Sequence, residues 1–139
     1  MPEKPPVVAV FNTSPDTVEM LRIVLERAGF VVVAAYTYEL RDSKVDVESL
    51  MRQHRPDVIV FDIAPPYDKN WRLLEHFKAM PIFNGMSFVI TTTNVKHVRE
   101  VAGADQELHE IVGKPYDLDD IVNAVKDAVK REAIKDKRP

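Results

Sequence analysis

The sequence has no cysteine, and its 139 residues include only four glycines. Without cysteine there is no disulfide framework, no zinc–thiolate centre and no thiol nucleophile. Ten prolines against four glycines argue against flexible linkers, and no internal repeat or low-complexity tract breaks the chain. No apolar run approaches the roughly 20 residues that a membrane-spanning helix needs. The start, residues 1–6, lacks the apolar stretch of a signal peptide, so a soluble, cytoplasmic protein is expected. A formal charge of -3 gives no electrostatic footprint for direct nucleic-acid binding. His54, His76, His97 and His109 lie far apart, without the spacing of metal ligands. With 45% apolar residues, the chain suits one domain with ample core.

The most informative stretch that is present runs over residues 55–66. Val58, Ile59, Val60 and Phe61 form an unbroken apolar run, bounded by Pro56-Asp57 before it and by Asp62 and a Pro65-Pro66 turn after it. Such a run predicts a parallel strand covered on both faces, with Asp62 at its carboxyl end. In open parallel sheets that edge is where ligands bind, which makes Asp62 a candidate functional group beside the simpler reading of a turn cap.

Residues 7–11 repeat the pattern. After them Ser14, Pro15 and Asp16 read as the cap, first position and dipole-complementing residue of a helix that Gly29 ends. A second strand is predicted over 30–35, and then a polar stretch over 36–44 with no clear period. A helix over 47–54 leads into the central strand. Beyond it a turn-rich loop over 64–70 is expected, followed by a helix over 71–80 with Trp71 at its start and partly exposed. A strand over 87–92, a helix around Val95, Val98 and Val101, a short strand over 109–112 and a last helix capped by Asp117 complete the chain. Five strands alternating with five helices predict an α/β fold: a doubly wound, flavodoxin-like parallel sheet in the order 2-1-3-4-5 with helices on both faces. Asn12, Thr13, Asp16, Asp62, Thr92 and Lys114 then meet at one edge from four strands. The domain spans residues 7–132, after an extension over 1–6 and before a basic tail over 133–139.

Taken together, Asp62 after its apolar strand, Pro66 four residues on, Thr92 at the end of the fourth strand and Lys114-Pro115 after the fifth resemble the receiver domains of bacterial response regulators. The resemblance covers essentially the whole chain, with about half a dozen extra residues before the second helix of the family pattern. It implies Asp62 as phospho-acceptor, Lys114 as the fixed positive charge on the phosphoryl group and Thr92 as the switch hydroxyl, in a signalling module rather than an enzyme. It also implies a Mg²⁺ site made of two acidic residues after the first strand, the acceptor, and the backbone carbonyl of Ala64. Here Asn12 and Thr13 stand where the acidic pair belongs, so one carboxylate remains of three. Mg²⁺ prefers hard, charged oxygens, and weak or absent binding is expected. Asp16 is left as a water-mediated ligand or as a helix-dipole partner. Ile111 replaces the aromatic residue that swings inward on activation in the family.

The implied role is two-component, or phosphorelay, signal transduction by a receiver acting alone, without a DNA-binding or catalytic output domain. Its partner would be a sensor histidine kinase or another signalling protein, with a homodimer left open. Two forms are expected from these residues: a receiver that still accepts phosphate, and a pseudo-receiver whose surface works without it. The alternative from another class is a flavodoxin-like nucleotide-binding module, with Thr13, Ser14 and Thr17 donating to a phosphate at the helix N-terminus. Few glycines and the charge of Asp16 argue against it.

Overall fold

The computed structural model describes residues 5–41, 46–92, 94–102, 111–113 and 118–136. The elements are β1 (Val7–Asn12), α1 (Pro15–Arg27), β2 (Val31–Tyr36), α2 (Thr37–Arg41), α3 (Val47–His54), β3 (Val58–Ile63), α4 (Tyr67–Ala79), β4 (Ser87–Thr92), α5 (Val95–Ala102), β5 (Ile111–Gly113) and α6 (Leu118–Asp136). One sheet holds all five strands, paired in parallel in the order β2-β1-β3-β4-β5. This is the doubly wound α/β architecture expected from the strand–helix alternation.

The alternation of side chains along each strand divides the core in two. Val8 and Val10 of β1, Val60 of β3 and Val89 of β4 pack with Val18, Leu21 and Leu25 of α1 and with Ile121 and Val125 of α6. Ala9, Phe11, Ile59, Phe61 and Ile90 face the opposite way, onto Met51 of α3, Trp71, Leu74 and Phe77 of α4, and Val98 of α5. β3 and β4 are buried at every position, as strands covered on both faces must be. Phe77 holds the second layer together, its ring meeting Phe11 at 6.2 Å and Phe61 at 6.1 Å edge-on and stacking on Phe83 at 5.8 Å.

Local chemistry sets the ends of the helices. Ser14 caps α1 by accepting from the N–H of Thr17, Pro15 takes the first position, and Gly29 follows the helix at a φ of 99° that suits glycine. Asp46 caps α3, accepting from the N–H groups of Glu48 and Ser49 and from the Ser49 hydroxyl.

Three expectations change. The polar stretch over 36–44 contains α2, so the described residues hold six helices, and this short element lies where the chain is longer than the family pattern. α4 begins at Tyr67, four residues earlier than expected, because Asp68, Lys69 and Asn70 carry no apolar signal although they fill a helical first turn. That earlier start turns Trp71 into the core beside Leu74 and Phe77; it is 3% exposed, not a partly exposed surface group. α6 runs to Asp136. Of the last strand and helix, residues 109 and 110 and the cap position 117 lie outside the described residues.

Two measurements check this frame. Phe77→Ala removes the ring that three other phenylalanines contact and is expected to cost about 3–5 kcal/mol in urea denaturation. The hydrogen bonds from the Ser49 side chain and backbone hold the Asp46 carboxyl below its ordinary pKa of 3.8. A depressed folded-state pKa stabilises the fold above the unfolded value and is lost as pH falls through the folded one. Stability measured from pH 5 downward should therefore fall less steeply in Asp46→Asn than in wild type below about pH 4.

Candidate functional site

β1, β3 and β4 all end at the same edge of the sheet, and their last residues carry the polar groups. Asp62 is 3% exposed, and a carboxyl group so far from water needs hydrogen-bond donors within the protein. Thr91 supplies one: its hydroxyl donates to Oδ1 of Asp62 at 2.7 Å. The parallel register sets Asp62 directly against Thr91, and paired residues project to the same face of a sheet. Thr92 therefore projects to the other face. There its hydroxyl donates to the carbonyl of Ile63 at 2.8 Å and accepts from the N–H of Asn94 at 3.2 Å. The hydroxyl on Asp62 thus comes from Thr91, whereas the sequence pattern had singled out Thr92.

Asn12 is the last residue of β1 and is 1% exposed. Phe11 pairs with Phe61, so Asn12 occupies the strand position beside Asp62 and shares its face with Val8 and Val10. Its side-chain oxygen accepts from the N–H of Ser14 at 3.0 Å, which fixes the orientation of the amide. The amide nitrogen is left buried and without a hydrogen-bond partner among the described residues. Asn12, Asp62 and Thr91 form a row across three adjacent strands, with the N-terminus of α1 rising from one end of it.

The carbonyl of Ala64 accepts from the side-chain amide of Asn70, a buried residue in the first turn of α4. Thr13 and Asp16 are exposed, Asp16 within the first turn of α1. Lys114 and Pro115 lie outside the described residues, and the side chain of Ile111 does too. Among the described residues, no three His, Cys, Asp or Glu side chains are grouped to hold a metal ion. Mg²⁺ demands near-octahedral oxygen ligands and sheds its water reluctantly. A set in which Asn12 turns its oxygen to Ser14, Ala64 gives its oxygen to Asn70 and Asp62 receives Thr91 does not fit that ion.

Above this edge the first turns of α4 and α5 touch. The ring of His97 lies 4.9 Å from that of Tyr67, and its Nε2 stands 3.7 Å from Asp68. Thr91 and Asn70 are the two residues that sequence reasoning missed. The row of three threonines over 91–93 carried a signal for a hydroxyl at this edge, but only strand register decides which hydroxyl meets Asp62.

Structural comparison places this arrangement in a known fold. A sensor protein from Polaromonas sp. JS666 superposes with a TM-score of 0.74 over 91% of this chain and 98% of its own, at 16% identity. A response regulator from Thermotoga maritima gives 0.66 over 91% and 98%, at 20% identity. The signal receiver domain of an HD domain-containing protein from Pseudomonas fluorescens gives 0.73 over 93% and 98%, at 12% identity. No protein-family model matches the sequence, and no curated protein matches it significantly. The chain has the fold of response-regulator receiver domains.

The Thr91–Asp62 bond can be tested directly. Thr91→Val leaves a buried carboxyl group short of a donor and is expected to cost about 1.5–3 kcal/mol by urea denaturation. In an Asp62→Ala background the same substitution should cost less than half as much, because the acceptor is gone. Equal costs in both backgrounds would show that this bond contributes nothing.

Proposed function

We propose that the chain is an atypical receiver that serves two-component signal transduction through protein–protein contact, with Asp62 at the phospho-acceptor position and with Mg²⁺ binding weak or lost. The observation that carries this reading is the commitment of the site's oxygens. Asn12 and Ala64 hold internal donors where receivers of the ordinary kind would present ligands to the ion. Phosphoryl transfer to a carboxylate depends chiefly on positioning and on neutralising the phosphoryl oxygens. With the acidic pair replaced, the positive charge left for that task in the family pattern is Lys114. The partner is a sensor histidine kinase or another signalling protein that recognises the folded surface, and recognition does not wait for phosphate.

If Asp62 does react, one of its carboxyl oxygens attacks the phosphorus of an acyl phosphate or phosphoimidazole donor. The new P–O bond forms as the donor's bond to phosphorus breaks, and the leaving carboxylate or imidazole departs with the electron pair. The nucleotide-binding alternative gains nothing from the structure. Ser14 already accepts from Thr17, and the two glycines of positive φ, Gly29 and Gly85, lie at the opposite ends of their elements from Asp62.

Intact-mass spectrometry after incubation with acetyl phosphate, with and without Mg²⁺, tests this proposal. The wild type should show little phosphate uptake and the same level in both conditions. The double substitution Asn12→Asp with Thr13→Asp should gain Mg²⁺-dependent uptake at Asp62, with a rate on the order of a hundredfold higher. Asp62→Asn is the control that removes the acceptor. Wild-type uptake as fast and as Mg²⁺-dependent as that of the double variant would overturn the proposal.

A further inference from the structure

The amino-terminal edge of the sheet, at the far end of β3 from Asp62, carries a feature that the receiver reading does not use. Between the end of α3 and the 3-10 turn Pro81–Phe83 lies a cavity of about 380 Å³ lined by Met51, Arg52, Arg55, Pro56, Ile82 and Met86. Its composition is divided. Met51 and Pro56 are buried and Ile82 and Met86 half-buried, which makes an apolar interior, while the guanidinium groups of Arg52 and Arg55 belong to exposed residues. Arg52 is paired with Glu48 at 2.8 Å; Arg55 has no ion pair among the described residues.

Arg55 also holds an unusual backbone. Its φ of 45° and ψ of 60° are left-handed, and it is the one non-glycine with positive φ among the described residues. The residue ends α3, its N–H donating to the carbonyl of Met51 at 2.8 Å, and glycine is the ordinary occupant of such a place. A side chain there strains the backbone, and strain of this kind marks positions where the side chain has work to do. The volume lies within the range of small-molecule sites, and methionines line such sites adaptably.

We propose that this cavity binds a small organic carboxylate with an apolar body, of the medium-chain fatty-acid class. The carboxylate pairs with the fork of Arg55, a geometry that arginine matches in two parallel hydrogen bonds. The apolar body lies against Met51, Ile82 and Met86. Glu48 keeps Arg52 occupied, so Arg55 is the anchor. The site is independent of Asp62 and of its phosphorylation.

Octanoate is the probe, with 1-octanol supplying the body without the charge and acetate the charge without the body. Each is titrated into the full chain, followed by the NMR signals of the Met51 and Met86 methyl groups. Octanoate should saturate these shifts, with 1-octanol and acetate weaker by about tenfold or more. Arg55→Gly should raise the melting temperature, because glycine relieves the left-handed backbone, and should weaken octanoate by about tenfold or more. A gain in stability with a loss of binding is the signature that a purely structural arginine would not give. Asp62→Asn should bind octanoate as the wild type does. The proposal is overturned if octanoate fails to saturate by about 10 mM, if 1-octanol binds equally well, or if Arg55→Gly binds unchanged. Perturbation of these methyls by an acidic peptide but not by octanoate would overturn it too, assigning the face to a protein partner.

Discussion

A carboxyl group placed almost wholly out of water, at the end of a strand with no exposed residue, is the constraint on which this edge of the molecule depends. Burial of that kind is tolerated only with internal hydrogen bonds. The Thr91 hydroxyl at 2.7 Å answers part of the need, and it does so only in the observed register of β3 against β4. A slip of one residue would set Ile90 or Thr92 opposite Asp62 and turn the apolar residues of one strand to the wrong core layer. The polar bond and the two apolar layers therefore select the same pairing.

The same logic bears on what this edge could hold. Mg²⁺ is held by hard, charged oxygens, whereas here Oδ1 of Asp62, the side-chain oxygen of Asn12 and the carbonyl of Ala64 each accept from a donor within the protein. Asn12 is the clearest case. An aspartate at that position would bring a second negative charge beside Asp62, to be offset by a cation or by protonation. Asparagine removes the need: its oxygen closes a turn on Ser14, and its nitrogen brings donor hydrogens to a row that would otherwise gather negative charge. Local hydrogen bonds thus hold the polar groups of this edge, and the strands that frame it set their places.

The fold was largely legible because buried parallel strands write continuous apolar runs, and residues 7–11, 58–61 and 88–90 are such runs. Asp62 stood out for the same reason, as a charged residue at the end of one of them. What could not be read has a common cause: it depends on register or on contacts distant in sequence. Three successive threonines look alike until β4 is laid against β3, and only then does Thr91 differ from Thr92. The engagement of the Ala64 carbonyl by Asn70 needs α4 to begin at Tyr67, and nothing in a polar first turn announces that start. The burial of Trp71 departs from expectation through the same four residues, since the helix start decides which face every later side chain takes. The short helix α2 carries too few residues to show a period at all.

The two candidate sites lie at opposite ends of one strand, separated by the six residues of β3, about 20 Å at the usual rise. Coupling between such sites requires an element with two arrangements that both sites bias. β3 is a poor choice for that element, because it is buried at every position and paired on both sides. The helices on one face of the sheet pack as one layer. α3 ends at Arg55, and its Met51 packs in the same layer as Trp71, Phe77 and Val98. α4 and α5 meet in their first turns through Tyr67, Asp68 and His97. Among the described residues this layer shows one packing arrangement, in keeping with a cavity at Arg55 that acts independently of Asp62.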